Sequence, residues 1–134
     1  MTPLRSLVIA LATSVRNDIG SQCPKPVYFN AMLNAMRASN LIVYENPVLI
    51  LRINGKPFSE HTPDFIVQDQ ETLLVNFVVA SSMTRVDVNH AQTCLNAYGD
   101  IAGGVLINFG DPHLTWMNIA QSNLKYYLHN RSTV

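Results

Sequence analysis

Residues 73–80 read LLVNFVVA, and they are apolar at successive positions except for one amide, Asn76. Side chains alternate along a strand, so such a run is apolar on both faces. It suits a central strand covered by helices on each side of a sheet. Asn76 then lies in an apolar core, where an uncompensated amide costs on the order of 1–3 kcal/mol. It needs partners, and Asp64, His90 and Gln92 are the ones the sequence offers.

The rest of the chain supplies the covering elements. Leu4, Leu7, Leu11, Val15 and Ile19 fall at three- and four-residue spacing, which predicts a helix closed by Gly20. After the connector SQCPKP, Tyr28, Met32, Ala35 and Met36 predict a second helix over about 27–39, with Pro26 suited to its start. Strand-like runs follow: VLILRI, ended by the Asn54-Gly55 hairpin signal, then PDFIVQD and TLLVNFVVA, joined by a polar turn. Val88, Ala91, Leu95 and Tyr98 predict a third helix, stopped by Gly99, before the strands GVLINFG and LTWMNIA. The order α-α-β-β-β-α-β-β describes an α+β (α/β-like) chain with a mixed central sheet flanked by helices. Residues 1–134 are expected to form one domain, fraying from about 121.

Charged residues are only 13% of the 134 and apolar residues 48%. So little charge leaves part of the surface apolar, suited to self-association or a protein partner. Nine basic and nine acidic side chains cancel. That lacks the basic excess typical of a nucleic-acid binder, although Lys25, Arg37, Arg52, Lys56 and Arg85 could converge on a groove. Cys23 and Cys94 form no CxxC and read as two thiols of a reducing compartment. The N-terminus imitates a short signal peptide, but the helical period continues through Thr13, Ser14, Arg16, Asn17 and Asp18. No apolar run reaches the roughly 20 residues of a membrane helix. The expected location is the cytoplasm.

The motifs TPD (62–64), VNFVV (75–79), HAQ (90–92) and VLINFG (105–110), in this element order, resemble the GxxExxY family of the PD-(D/E)XK nuclease-like superfamily. The resemblance runs from about Leu7 to Ile119 and implies a restriction-endonuclease-like core. It also implies a site in which an Asp, an acid on the next strand and often a first-motif Glu bind a divalent metal, with a lysine two residues past the second acid. The first Asp falls on Asp64. The second acid falls on Asn76 and the lysine on Val78; anchoring the first motif on Tyr28 puts its Glu on Lys25 and its first Gly on Gln22. Gln92 takes the family glutamine, and His90 lies one residue out of register with the family histidine.

These substitutions remove what hydrolysis requires. Mg²⁺ or Mn²⁺ takes hard oxygen ligands, chiefly carboxylates, and a lysine steadies the developing charge. Asn76 offers a neutral oxygen, Val78 nothing, and Lys25 a positive charge. Two main readings stand. One is a degenerate domain without cofactor, acting through a protein partner or its own copy, with Asp64, Asn76, His90 and Gln92 as a polar cluster. The other is a Mg²⁺- or Mn²⁺-dependent nuclease with relocated carboxylates, Glu60 sharing a strand face with Asp64. Non-catalytic nucleic-acid binding is a third. Glu45, Asp69 and Glu71 read as solvated turn charges, and His90 with Cys94, one helical turn apart, lacks the second pair a metal site needs.

Overall fold

The computed structural model describes residues 2–99, 101, 103–110 and 112–120. The tail expected to fray from about 121 lies outside them. Helix α1 spans Pro3–Ile19: Thr2 caps it, Pro3 suits its first turn, and Gly20 ends it at φ 79°. Its first turn has no acid of its own. Instead Leu4 N–H donates to Glu71 Oε1 at 3.0 Å, so an expected turn charge caps a helix N-terminus 67 residues away in sequence. Helix α2 (Lys25–Ala38) follows, and α3 spans Arg85–Tyr98 with a capping box between Thr84 and Asp87.

The strands are β1 (Ile42–Glu45), β2 (Leu49–Ile53), β3 (Lys56–His61), β4 (Phe65–Gln68), β5 (Thr72–Val78), β6 (Gly103–Asn108) and β7 (Thr115–Ala120). Five form a mixed sheet in the order β1-β4-β5-β6-β7, with β5 and β6 parallel across α3 and the other neighbours antiparallel. The mixed sheet flanked by helices matches the expected class; two strands were not anticipated. Pro57 lies within β3, opposite Arg52, where the ladder shifts register between Leu51 and Arg52 and a missing N–H is tolerated. The first of the expected strands, VLILRI, is β2 and belongs to this separate hairpin. Asn54 and Gly55, at φ 54° and 78°, fold β2 back on β3, and the four-residue β1 stands beside β4 instead.

Two cores result. Leu4, Val8, Met32 and Met36 of the first two helices meet Phe65, Val75, Phe77, Val105 and Ile107 on one sheet face. Ala91, Cys94 and Leu95 of α3 meet Ile66, Leu74 and Leu106 on the other. The first core holds α2 by aromatics: Tyr28 stacks on Phe109 (centroids 4.6 Å apart) and Phe29 on Phe65 (4.4 Å). Tyr28 also donates its hydroxyl to Gly20 O, fixing the approach from α1. The first residue of α2, Lys25, is thereby set at the end of the inner strands β4 and β5. No helix among the described residues is long and apolar enough to cross a membrane.

After β6 the chain is clamped to the end of β5. Asn108 is fully buried; its Oδ1 accepts from Ala80 N–H (3.1 Å) and Gly110 N–H (2.9 Å), and its Nδ2 donates to Ala80 O (3.0 Å). A Cβ on Gly110 would stand 2.6 Å from Ala80 O and 2.8 Å from Val79 C, backbone atoms with no freedom to yield. Gly110→Ala and Asn108→Ala should therefore both lower the urea midpoint sharply. For Asn108→Ala the expected cost is about 1–3 kcal/mol for each backbone group left unpaired. An unchanged midpoint would show that the clamp is dispensable.

Candidate functional site: a carboxylate at the end of a strand ladder

The registered pairing of β4 with β5 ends at Phe65 and Val75. One step further, Asp64 faces Asn76, and side chains replace the ladder. Asp64 N–H donates to Asn76 Oδ1 at 2.8 Å, and Phe77 N–H donates to Asp64 Oδ2 at 2.8 Å. On the other side, Asn46 N–H donates to the Asp64 carbonyl at 2.8 Å, joining β4 to the end of β1. The remaining carboxylate oxygen, Oδ1, meets Lys25 Nζ at 2.8 Å. Asp64 thus ties α2, β1 and β5 together with both side-chain oxygens engaged. Its side chain is 13% exposed and that of Lys25 46%. The ammonium also lies 5.9 Å from the centroid of the Phe77 ring, within cation–π range.

The pair separates two hollows. One, about 330 Å³, is walled by Thr62, Asp64, Asn76, Val78, Asp87 and His90, with Lys25 at its rim. The other, about 310 Å³, lies against Pro26, Phe29, Asn30 and Asn46. Two carboxylates line the first hollow. Asp64 is committed as described, and Asp87 Oδ2 accepts from Thr84 N–H (2.8 Å) and Thr84 Oγ1 (3.0 Å) to close the α3 capping box. Among the described residues no group of three or more His, Cys, Asp or Glu is placed to hold a metal ion. A divalent ion that takes six or more oxygens, chiefly anionic ones, does not fit a wall whose buried acid already faces an ammonium.

Other expected residues are distributed as follows. Val78 and Asn76 share the α3 side of β5, and Val78 brings no polar atom. His90 is exposed on α3 at the rim of the hollow, 3.8 Å from Cys94 Sγ through Nε2. Gln92 is elsewhere: its Nε2 donates to Ala120 O at 2.8 Å and joins α3 to β7. Glu60 is exposed on β3, in the other sheet. The alternation expected to carry it to the face of Asp64 stops with β3 at His61. Of the basic residues, Arg37 pairs with Glu45 at 3.1 Å. It stands near the far end of α2, about 18 Å from the start of Lys25's turn at 1.5 Å per residue.

Sequence reasoning missed Cys94 as part of this cluster. Burial, then the Asp64 charge, push its thiol up from 9.0 to about 11, against a lowering hydrogen bond with Asn76. Its position four residues from His90, on the stripe that includes Ala91 and Leu95, was the available signal.

Two outcomes follow from this cluster. A thiol held protonated in the fold contributes stability that is fully present below pH 9 and is lost as pH rises toward 11. The melting temperature should fall across that window, and the fall should be smaller in Cys94→Ala. Asp64→Ala should cost about 1.5–3 kcal/mol for the lost charged hydrogen bond, whereas Lys25→Ala, removing a half-exposed partner, should cost about 1 kcal/mol or less. Urea titrations giving the reverse order would contradict the assignment of Asp64 as the structural node.

A family model described as the PD-(D/E)XK nuclease superfamily matches residues 2–119. Among solved structures, the chain is similar to SSO0001 at 9% identity and a TM-score of 0.53, covering 81% of this chain and 55% of that one. It is also similar to an alkaline exonuclease from Laribacter hongkongensis at 14% identity and a TM-score of 0.54, covering 99% of this chain and 79% of that one. At such identities the likeness is one of fold, and this chain spans little more than half the length of SSO0001. No curated protein matches it in sequence. With its mixed five-stranded sheet between helices and a model match over nearly its whole length, the chain belongs to the PD-(D/E)XK nuclease superfamily.

Proposed function

We propose that this chain is a catalytically degenerate PD-(D/E)XK domain of the GxxExxY type, acting by self-association or by binding a protein partner. The observation that carries this reading is the state of Asp64. Its two oxygens are engaged by Lys25 Nζ and Phe77 N–H, and the residue facing it across the sheet is the amide of Asn76. Water attack on a phosphodiester needs an activated nucleophile and stabilisation of the developing charge. Val78 and Asn76 provide neither.

The surface supports a binding role. Val86 is 75% exposed, Phe58 71%, Val48 61% and Ile42 57%, in a chain with few charges to dilute them. A groove for nucleic acid is less favoured, since Lys25 and Arg37 are already paired with acids. Supercoiled plasmid incubated with the protein and millimolar Mg²⁺ or Mn²⁺ should remain un-nicked. Light scattering at micromolar concentration should give a mass above the 14.9 kDa of one chain, or the chain should bind a protein partner. Ion-dependent nicking that co-purifies with the folded protein and disappears in a Glu60→Ala variant would instead establish the relocated-carboxylate nuclease.

A further inference from the structure

Lys25 stands in an unusual relation to its partner. Its ammonium lies 2.8 Å from Asp64 Oδ1, at the divide between two hollows, while the other Asp64 oxygen is held by a backbone N–H. Asp64, with only 13% of its side chain exposed, is held in an ion pair with Lys25 and a backbone hydrogen bond from Phe77. Lys25 and Asp64 together have no net charge, so the pair is balanced with no bound ion.

We infer that Lys25 is a built-in counter-ion whose ammonium occupies the cation position beside Asp64 and keeps divalent ions out, so that the hollow becomes a divalent-cation site once that charge is removed. The inference rests on the non-catalytic reading above and adds to it the agent that excludes the ion. The geometry favours Lys25→Glu as the opening substitution. A glutamate ends one atom short of the lysine nitrogen, so its oxygen stops where the lysine Cε stands. The space of the ammonium is left for an ion between two carboxylates. Asn76 cannot be the second acid, and the 330 Å³ hollow has room for the waters that complete a hard cation's shell. Lys25→Met, by contrast, keeps an unbranched side chain of similar reach and removes the charge.

Thermal melts and Mn²⁺ titrations followed by electron paramagnetic resonance test this on the full chain, with EDTA or with Mn²⁺. The wild type should melt at the same temperature in both and leave the free Mn²⁺ signal unchanged. Lys25→Glu should melt lower than wild type in EDTA, through repulsion between the two acids, and bind one Mn²⁺. At 100-fold excess over its dissociation constant the ion should raise its melting temperature by about 5–10 °C. Lys25→Met should bind Mn²⁺ more weakly than Lys25→Glu but more tightly than wild type. Wild-type binding as tight as that of Lys25→Glu would overturn the inference, as would the absence of an ion response in both variants. If Lys25→Glu is unfolded with and without Mn²⁺, the order of Lys25→Met and wild type decides. Plasmid nicking by the wild type would strike the non-catalytic reading, whereas silent variants beside an inactive wild type would strike this inference alone.

Discussion

A sheet must end its ladders somewhere, and the last backbone groups of each strand need partners once the pairing stops. Here the problem is met at Asp64. Its N–H, its carbonyl and both carboxylate oxygens are each engaged, by Asn76, Asn46, Phe77 and Lys25 respectively. The joint holds β1, β4 and β5 in line and fixes the start of α2 against them. An acid in that place serves the geometry of the sheet, whatever chemistry the site performs.

That structural role bears on the residues around it. In the arrangement the family resemblance implies, acids stand at the positions of Lys25, Asp64 and Asn76 and a lysine at Val78. That excess of negative charge is what a divalent ion balances. On the reading proposed above, Asn76 takes the place of the second acid, Val78 that of the lysine and Lys25 that of the first-motif acid, and Lys25 balances the charge of Asp64. The amide still accepts from the Asp64 N–H, which a valine or leucine could not do. On that same reading, these exchanges keep the joint and set an ammonium beside the carboxylate.

The same economy appears where the neighbouring strand β6 ends, one pleat beyond the level of Asn76. Asn108 turns the end of β6 back onto Ala80 with its side-chain amide, and Arg16 in the last turn of α1 donates to Phe109 O (2.9 Å) and Pro112 O (3.1 Å). Glu71 caps α1 from the β4–β5 turn. Helices and sheet are thus joined at their ends by long-range polar contacts over cores of apolar side chains. The hairpin β2–β3 stands outside this scheme as a second sheet against α3, and its outer face bears the exposed Ile50 and Phe58.

Local pattern was sufficient for the helices, whose apolar spacing and glycine stops are properties of the chain itself, and for β5 and β6, whose unbroken apolar runs demand burial on both faces. It also marked Asn76 as an amide in need of partners. What those partners are is a matter of register: pairing β4 with β5 sets Asp64 opposite Asn76, and no periodicity within either strand encodes which residue of one meets which residue of the other. The exclusion of β2 from the main sheet, the capping of α1 by Glu71 and the loss of Gln92 to β7 are likewise choices among distant segments. The pairing of Lys25 with Asp64 belongs with them. It depends on how aromatic packing seats α2 against the sheet, a three-dimensional consequence that composition and spacing do not contain.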